Sequence, residues 1–156
     1  MKVNWKKLAG AVALPLAVGG LSALLTKDSM VVFEYVSKPP LAPPQWLFPV
    51  AWTVLYILMG LASYFVCVSR RPKLQRKKAL SLYIVQLAFN FLWSIIFFNI
   101  EQYLFAFIWL CLMWLLILAA TISFFGADKR AGWLMIPYIL WVSFAAYLNW
   151  GVYALN

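Results

Sequence analysis

Three stripes of aromatic and polar residues carry the side chains best suited to recognise a ligand. Each stripe steps by four, three and four positions, which places its members along one face of an α-helix. The stripes are Trp52, Tyr56, Met59 and Ser63; Gln86, Asn90, Trp93 and Phe97; and Trp141, Ala145, Leu148 and Val152. Because aromatic rings supply contact area while a few polar groups fix orientation, such faces suit a flat, largely apolar ligand.

The amides of Gln86, Asn90 and Asn149 have two interpretations. All three lie within long apolar runs, where a buried amide needs a partner and must face the interior of a bundle. They either join neighbouring helices through hydrogen bonds worth about 0.6–2 kcal/mol each, or they line a pocket and orient a ligand. The residue pattern is compatible with both.

Much other chemistry is excluded by composition. The chain has no histidine, which removes histidine metal sites, His-ligated haem and Ser-His-Asp catalysis. Cys67 and Cys111 lie in separate apolar runs and form no CxxC pair. All four acidic residues lie outside those runs, so no carboxylate is placed to relay protons within a membrane. We therefore expect no metal site and no required cofactor.

The stripes lie on apolar runs long enough to span a bilayer. The 156-residue chain is 66% apolar and 11% charged, whereas soluble domains are about 45–50% apolar and about 25% charged. A spanning helix needs about 20 apolar residues, and the runs are continuous rather than alternating as barrel strands would be. We predict an all-α membrane protein, one domain over residues 1–156, with five transmembrane helices. The predicted spans are about 8–25, 46–68, 79–98, 103–125 and 133–155.

The first span resembles a signal peptide but lacks a small-x-small cleavage site. We therefore expect an uncleaved helix, in which Ala9, Ala13 and Ala17 form a close-packing face. The side of the membrane follows from the basic residues: 11 of the 13 lie before the first span or in loops 69–78 and 126–132. Short basic loops stay cytoplasmic, so we predict the N-terminus in the cytoplasm and the C-terminus outside. Topology and anionic headgroups account for the net charge of +9 without nucleic acid as a partner.

The outer loop 26–45 contains four prolines in KPPLAPP, which cannot continue a helix and favour an extended path. Five apolar residues precede them: Val31, Val32, Phe33, Tyr35 and Val36. A stiff, apolar loop of this kind either covers the outer end of the bundle as a lid or lies in the membrane interface.

Short motifs follow one another along nearly the whole chain, from about residue 8 to residue 156. They are KPPLAPP at 38–44; Phe48, Val50, Trp52, Leu55–Tyr56 and Met59–Gly60; Gln86–Leu87, Asn90, Trp93–Ser94 and Phe97–Phe98; and Pro137–Tyr138, Trp141, Phe144–Ala145, Leu148–Asn149 and Asn156. With these motifs in this order on five spans, the sequence resembles the translocator protein family, also called tryptophan-rich sensory proteins or peripheral benzodiazepine receptors.

That resemblance implies a five-helix bundle, usually a homodimer, that binds porphyrins and benzodiazepine-type drugs under its first loop. The pocket positions it implies are Ser22, Ala23, Phe48, Trp52, Asn90, Trp93, Phe105, Trp141, Ala145 and Leu148. Lys38, in the loop, is placed to pair with a porphyrin propionate.

The chain departs from the family pattern in its loop and its tail. Val32 and Leu41 stand where the family usually has tryptophan, which gives the loop less aromatic surface. No basic residue follows Tyr153, so the sterol-associated motif of animal members is incomplete and cholesterol is not the expected ligand. With no evident mitochondrial presequence, we expect a bacterial cell membrane.

Three functions follow from this resemblance. The first is binding of a tetrapyrrole, metal-free protoporphyrin IX in particular, with Trp52 and Trp141 against its ring. The second is light- and oxygen-dependent breakdown of that porphyrin, or stress sensing through it, with the two indoles as electron donors. The third is transport of porphyrins or other small hydrophobic molecules, which the absence of an inverted repeat and of an intramembrane charge disfavours.

Overall fold

The computed structural model describes residues 2–156. Within that range five helices are long and apolar enough to cross a membrane, and no β-strand occurs there. The predicted all-α, five-span architecture is therefore confirmed. The helices are α1 (Trp5–Thr26), a one-turn α2 (Val32–Tyr35), α3 (Leu47–Cys67), α4 (Lys73–Ser94), α5 (Tyr103–Ala127) and α6 (Lys129–Leu155), and α4 continues through a π-helical turn (Ile95–Asn99).

Three helices begin earlier than their apolar runs. Helix α1 starts at Trp5, α4 at Lys73 and α6 at Lys129, against predicted starts at 8, 79 and 133. The reason is that an apolar run marks the hydrocarbon boundary, whereas a helix continues into water wherever its residues are good helix formers. The segment KLQRKK, which opens α4, consists of such residues.

The five long helices form a closed ring in the order α1, α3, α6, α5, α4, and α4 returns to α1. The contacts of α5 with α4 and α6, and of α3 with α1 and α6, are extensive. The contact between α1 and α4 is thinner and includes the π-helical turn. This leaves room inside the ring between α1, α3, α4 and α6.

One end of the bundle, here called the basic end, gathers the N-terminal segment and two loops. The Asn4 N–H donates to Tyr64 Oη at 3.0 Å, and Ser69 Oγ donates to the Ala127 carbonyl at 2.7 Å. Because these contacts join the start of α1 to the α3–α4 and α5–α6 connections, 11 of the 13 basic residues share this end. The opposite end, the loop end, carries residues 27–46. Which end faces the cytoplasm stays a prediction.

Asp128 starts α6 immediately after α5 ends. Its side chain accepts a hydrogen bond from the Arg130 N–H at 2.8 Å and pairs with the Arg130 guanidinium at 2.9 Å. The hydrogen-bonded guanidinium holds the pKa of the Asp128 carboxyl below its usual value. Arg130 also lies 4.3 Å from the centre of the Phe65 ring, so this N-cap ties the start of α6 to the end of α3.

The face that α1 turns to the bundle is not the expected alanine stripe. Ala9, Ala13 and Ala17 are exposed within the chain, so the prediction that they form its close-packing face is wrong for contacts inside the bundle. The cause lies in α3, where Gly60 admits the α1 backbone at Ala11 and Val12. A Cβ at Gly60 would lie 2.5 Å from Val12 Cα, so the absence of a side chain at Gly60 sets the rotation of α1.

We predict that Gly60→Ala destabilises the protein, because the added methyl overlaps the α1 backbone rather than a movable side chain. The expected loss is about 1–3 kcal/mol, as for other overpacking changes. Gly10→Ala is the matched control, since a Cβ at Gly10 would meet no atom within 4 Å and alanine favours helix by up to about 1 kcal/mol. Thermal unfolding in detergent compares the two; equal melting temperatures would contradict the close approach of α1 and α3.

Candidate functional site

A cavity of about 530 Å³ lies at the loop end of the bundle, between α1, α3, α4 and α6 and beneath residues 30–46. No residue of its lining carries a formal charge, and nine of the twenty are aromatic. The lining comprises Gly19, Ser22, Ala23, Thr26, Met30, Phe33, Gln45, Trp46, Phe48, Pro49, Trp52, Tyr56, Trp93, Ser94, Phe97, Phe98, Trp141, Ala145, Leu148 and Asn149. This size is within the range of about 300–1,000 Å³ of pockets that hold small organic ligands.

Trp52 is the centre of the aromatic wall. Its ring stacks on Tyr56, with centroids 5.7 Å apart and planes at 29°. It meets Trp141 edge-on, at 6.4 Å and 89°. The indole N–H of Trp141 is buried and makes no hydrogen bond within residues 2–156. The two tryptophans from the stripes of α3 and α6 thus form one corner of the cavity and present a free donor there.

Beneath this corner lies a chain of buried hydrogen bonds. Tyr56 Oη donates to Asn90 Oδ1 at 3.0 Å, and Asn90 Nδ2 donates to Tyr138 Oη at 2.8 Å. Tyr138 Oη in turn donates to Gln86 Oε1 at 2.6 Å. Both polar atoms of the Asn90 side chain therefore bond to tyrosines, and Asn90 is absent from the cavity lining. Of the two interpretations of this amide, the contacts support the joining of α3, α4 and α6.

A second amide combines both roles. Asn149 Oδ1 accepts from the Trp93 indole N–H at 3.0 Å, and its Nδ2 donates to the Tyr103 carbonyl at 2.9 Å. The bonds join α4, α6 and the start of α5. Because Trp93 and Asn149 also line the cavity, this amide holds one wall of the cavity in place while facing it.

The π-helical turn completes the wall next to α1. It brings Phe97 against Trp93, with ring centroids 5.4 Å apart, and Phe98 into the lining. Asn99 Nδ2 donates to the Leu25 carbonyl of α1 at 3.0 Å. The apolar periodicity did not predict this turn, because a single wide turn scarcely changes the pattern. Such turns are frequent at functional sites.

The loop, residues 27–46, covers the cavity at the loop end of the bundle. Phe33 of α2 is only 7% exposed, lines the cavity with Met30 and meets Phe48 edge-on at 5.2 Å. The sequence did not predict α2, a single helical turn before the proline segment that buries Phe33. Leu41, one of the two departures from the family pattern, is 83% exposed and does not line the cavity.

Eight of the eleven predicted ligand-contacting residues line this cavity. They are Ser22, Ala23, Phe48, Trp52, Trp93, Trp141, Ala145 and Leu148. The structure places the other three, Asn90, Lys38 and Phe105, elsewhere.

Lys38 and Phe105 lie outside the cavity for reasons other than the hydrogen bonds that hold Asn90. The Lys38 ammonium lies 5.0 Å from the centre of the Phe33 ring and 3.4 Å from the Val36 carbonyl, so it lies on the loop rather than in the cavity. Phe105 is 51% exposed and packs on Trp109 of its own helix. Helix α5 contributes no residue to the lining, because it lies behind α4 and α6 in the ring.

Twelve lining residues were not among the predicted ligand-contacting residues, and Gly19, Met30 and Phe33 are examples. Gly19 carries no side chain to attract attention, yet a Cβ there would overlap the Tyr56 ring. Met30 and Phe33 belong to the apolar part of the loop, whose composition predicted a cover without identifying the contacting residues.

We predict that Asn90→Ala lowers stability in the absence of any ligand. The change leaves the Tyr56 and Tyr138 hydroxyls each without one buried partner, at an expected total cost of about 1–3 kcal/mol. Asn99→Ala is the control, since Asn99 is exposed and makes one hydrogen bond, and it should cost less than about 1 kcal/mol. The measurement is thermal unfolding of both variants in one detergent. An Asn90→Ala midpoint equal to that of the parent would show that the amide does not join the helices.

Comparison with known proteins covers almost the whole chain. The model of the TspO/MBR family matches residues 11–155. The tryptophan-rich protein TspO of Chlorobaculum tepidum is 36% identical over 150 residues, 96% of this chain and 95% of the relative. The tryptophan-rich sensory protein of Cereibacter sphaeroides is 36% identical over 100% of this chain and 95% of its own. The translocator protein of Bos taurus is 30% identical over 100% of this chain and 94% of its own.

Proposed function

The chain belongs to the TspO/MBR family, and from this premise we propose that it binds tetrapyrroles, metal-free protoporphyrin IX in particular, in the aromatic cavity. The observation that carries the proposal is the uncharged cavity of about 530 Å³ with nine aromatic side chains. A planar π-system packs on such rings in offset or edge-on contacts worth about 0.5–1.5 kcal/mol each beyond the area buried. Drug-like apolar ligands of the benzodiazepine type fit the same lining.

The polar groups of the site support one orientation of the ring. The free indole N–H of Trp141 is a donor for a polar atom of the ligand. The lining provides no charge to neutralise a carboxylate, so the propionate edge faces the loop end. Lys38 lies there, with its ammonium over Phe33, and a shift of this long side chain brings it to a propionate. Because the chain has no histidine, the metal-free ring fits at least as well as haem.

Photo-oxidative breakdown of the bound porphyrin is a second function supported by a specific feature. Trp52 and Trp141 meet at 6.4 Å in one corner of the cavity, so both indoles lie against a ring bound there. Indole is readily oxidised: the light-excited porphyrin accepts an electron from it and passes that electron to molecular oxygen, which becomes superoxide. The indole radical then takes an electron back from the ring, and superoxide adds to the oxidised ring, so that the net reaction is addition of oxygen to the porphyrin with the indole restored. The protein's part is to hold the ring against these donors; the porphyrin itself supplies the photochemistry.

The protein is an integral membrane protein, and we place it in a bacterial cell membrane with its basic end in the cytoplasm. The support is the segregation of 11 of 13 basic residues at that end, since basic short loops stay on the cytoplasmic side. The cavity then opens toward the outer side. Family membership supports a homodimer.

The binding proposal predicts a saturable Soret shift when protoporphyrin IX is titrated in the dark into the detergent-solubilised protein. Trp141→Phe removes the indole N–H and part of a wall, and should weaken binding about 2- to 10-fold, equivalent to about 0.5–1.5 kcal/mol. Trp133→Phe is the matched control, because Trp133 is 66% exposed and packs on Phe125 at the basic end. Equal affinities of the two variants, or no saturable shift in the parent, would reject this site.

The photochemical proposal predicts a defined product when the parent complex is illuminated in air. Trp52→Phe and Trp141→Phe, compared at saturating porphyrin, should each reduce the rate of product formation more than they reduce affinity. Trp133→Phe should leave that rate unchanged. Absorbance and mass spectrometry follow the product. Bleaching at the rate of free porphyrin in all four proteins would reject breakdown and leave binding standing.

A further inference from the structure

The loop over the cavity is fastened to the last turns of α6 by the side chain of Asn156. The Ser37 N–H donates to Asn156 Oδ1 at 3.1 Å, and Asn156 Nδ2 donates back to the Ser37 carbonyl at 2.8 Å. The same nitrogen donates to the Val152 carbonyl of α6 at 2.7 Å, which fixes the amide on its own helix. The side chain thus pairs with both backbone groups of one loop residue.

Two further contacts extend this attachment toward Pro40. Gly151 receives the buried ring of Pro39, which a Cβ at that position would overlap. Tyr147 Oη donates to the Pro40 carbonyl. Since Tyr147 and Gly151 are four residues apart, they lie on one face of α6. Residues 37–40 and this face are together called the clasp below.

The clasp is joined to the cavity by a very short stretch of chain. Phe33, which lines the cavity, precedes Ser37 by four residues, and the Lys38 ammonium packs over its ring at 5.0 Å. The position of Phe33 therefore depends on where Ser37 is held. None of Tyr147, Gly151 and Asn156 lines the cavity, so the clasp affects a ligand only through the loop.

We propose that Asn156 is a positioning residue for the binding site: its amide holds the loop so that Phe33 closes the cavity, and release of the clasp opens the route of ligand entry and exit. The inference rests on the proposed function, because it assigns Asn156 a role in ligand exchange. The clasp stabilises the closed loop with or without ligand. Weakening it raises the association and dissociation rates together and leaves the dissociation constant unchanged, whereas loss of a wall residue changes the dissociation constant.

The kinetic test uses protoporphyrin IX with stopped-flow quenching of tryptophan fluorescence. Asn156→Ala should raise both rate constants about tenfold, equivalent to about 1.4 kcal/mol of clasp stability, with the dissociation constant within about twofold of the parent. Tyr147→Phe should raise both about threefold. Tyr153→Phe is the matched control: Tyr147 and Tyr153 are 40% and 39% exposed, but the Tyr153 hydroxyl makes no hydrogen bond in residues 2–156. Rate constants at the parent values in both Asn156→Ala and Tyr147→Phe overturn the proposal.

A second readout needs no ligand. The Ser37 amide donates to Asn156, so hydrogen exchange of the segment 33–38 should accelerate about tenfold in Asn156→Ala and remain at the parent rate in Tyr153→Phe. Unchanged exchange in Asn156→Ala overturns the clasp, whatever the porphyrin kinetics. If the parent shows no saturable binding while exchange responds, the proposed function fails and the clasp on the loop stands.

Discussion

Within a bilayer, a polar group that is removed from water must find its partner inside the protein, and this requirement organises the bundle. Asn90 and Asn149 each meet it by bonding to two other helices. Because the hydrogen bonds of a side-chain amide are directional, these two residues fix how α3, α4, α5 and α6 are rotated about their axes. Apolar packing alone does not do so, since lipid tails are as apolar as the side chains that they replace.

The same requirement explains why the cavity contains so little polar chemistry. The amide of Asn90 and the hydroxyls of Tyr56 and Tyr138 bond to one another, which leaves the space above them to aromatic rings. At the wall, the indole N–H of Trp141 is buried without a partner. Under the proposed function, a site built in this way selects a ligand mainly by shape and stacking.

The sequence predicts the helices and eight of the twenty cavity-lining residues, because both depend on local patterns. A run of apolar residues identifies a span whatever its neighbours, and the stripes of α3 and α6 point Trp52 and Trp141 to the same interior. Three features depend instead on partners distant in the chain. The α2 turn is stabilised by the contact of Phe33 with Phe48. Both polar atoms of the Asn90 side chain are hydrogen-bonded to tyrosines of two other helices. Phe105 faces outward because of the position of α5 in the ring. None of these relations leaves a periodic signal, and for the same reason the alanine stripe of α1 is not the face that meets the bundle.

The π-helical turn makes the length of α4 as important as its composition. A π-helical turn accommodates one residue more than a regular turn, so the loss of one residue within the segment 95–99 would return it to α-helix and keep Asn99 near the Leu25 carbonyl. The loss of one residue from the regular part of α4 would instead rotate all later residues by about 100°, Asn99 included, and would open the joint between α1 and α4. Among related proteins, a one-residue gap before this turn therefore signifies a different contact between these helices, whereas a gap within the turn signifies a regular helix with the same contact.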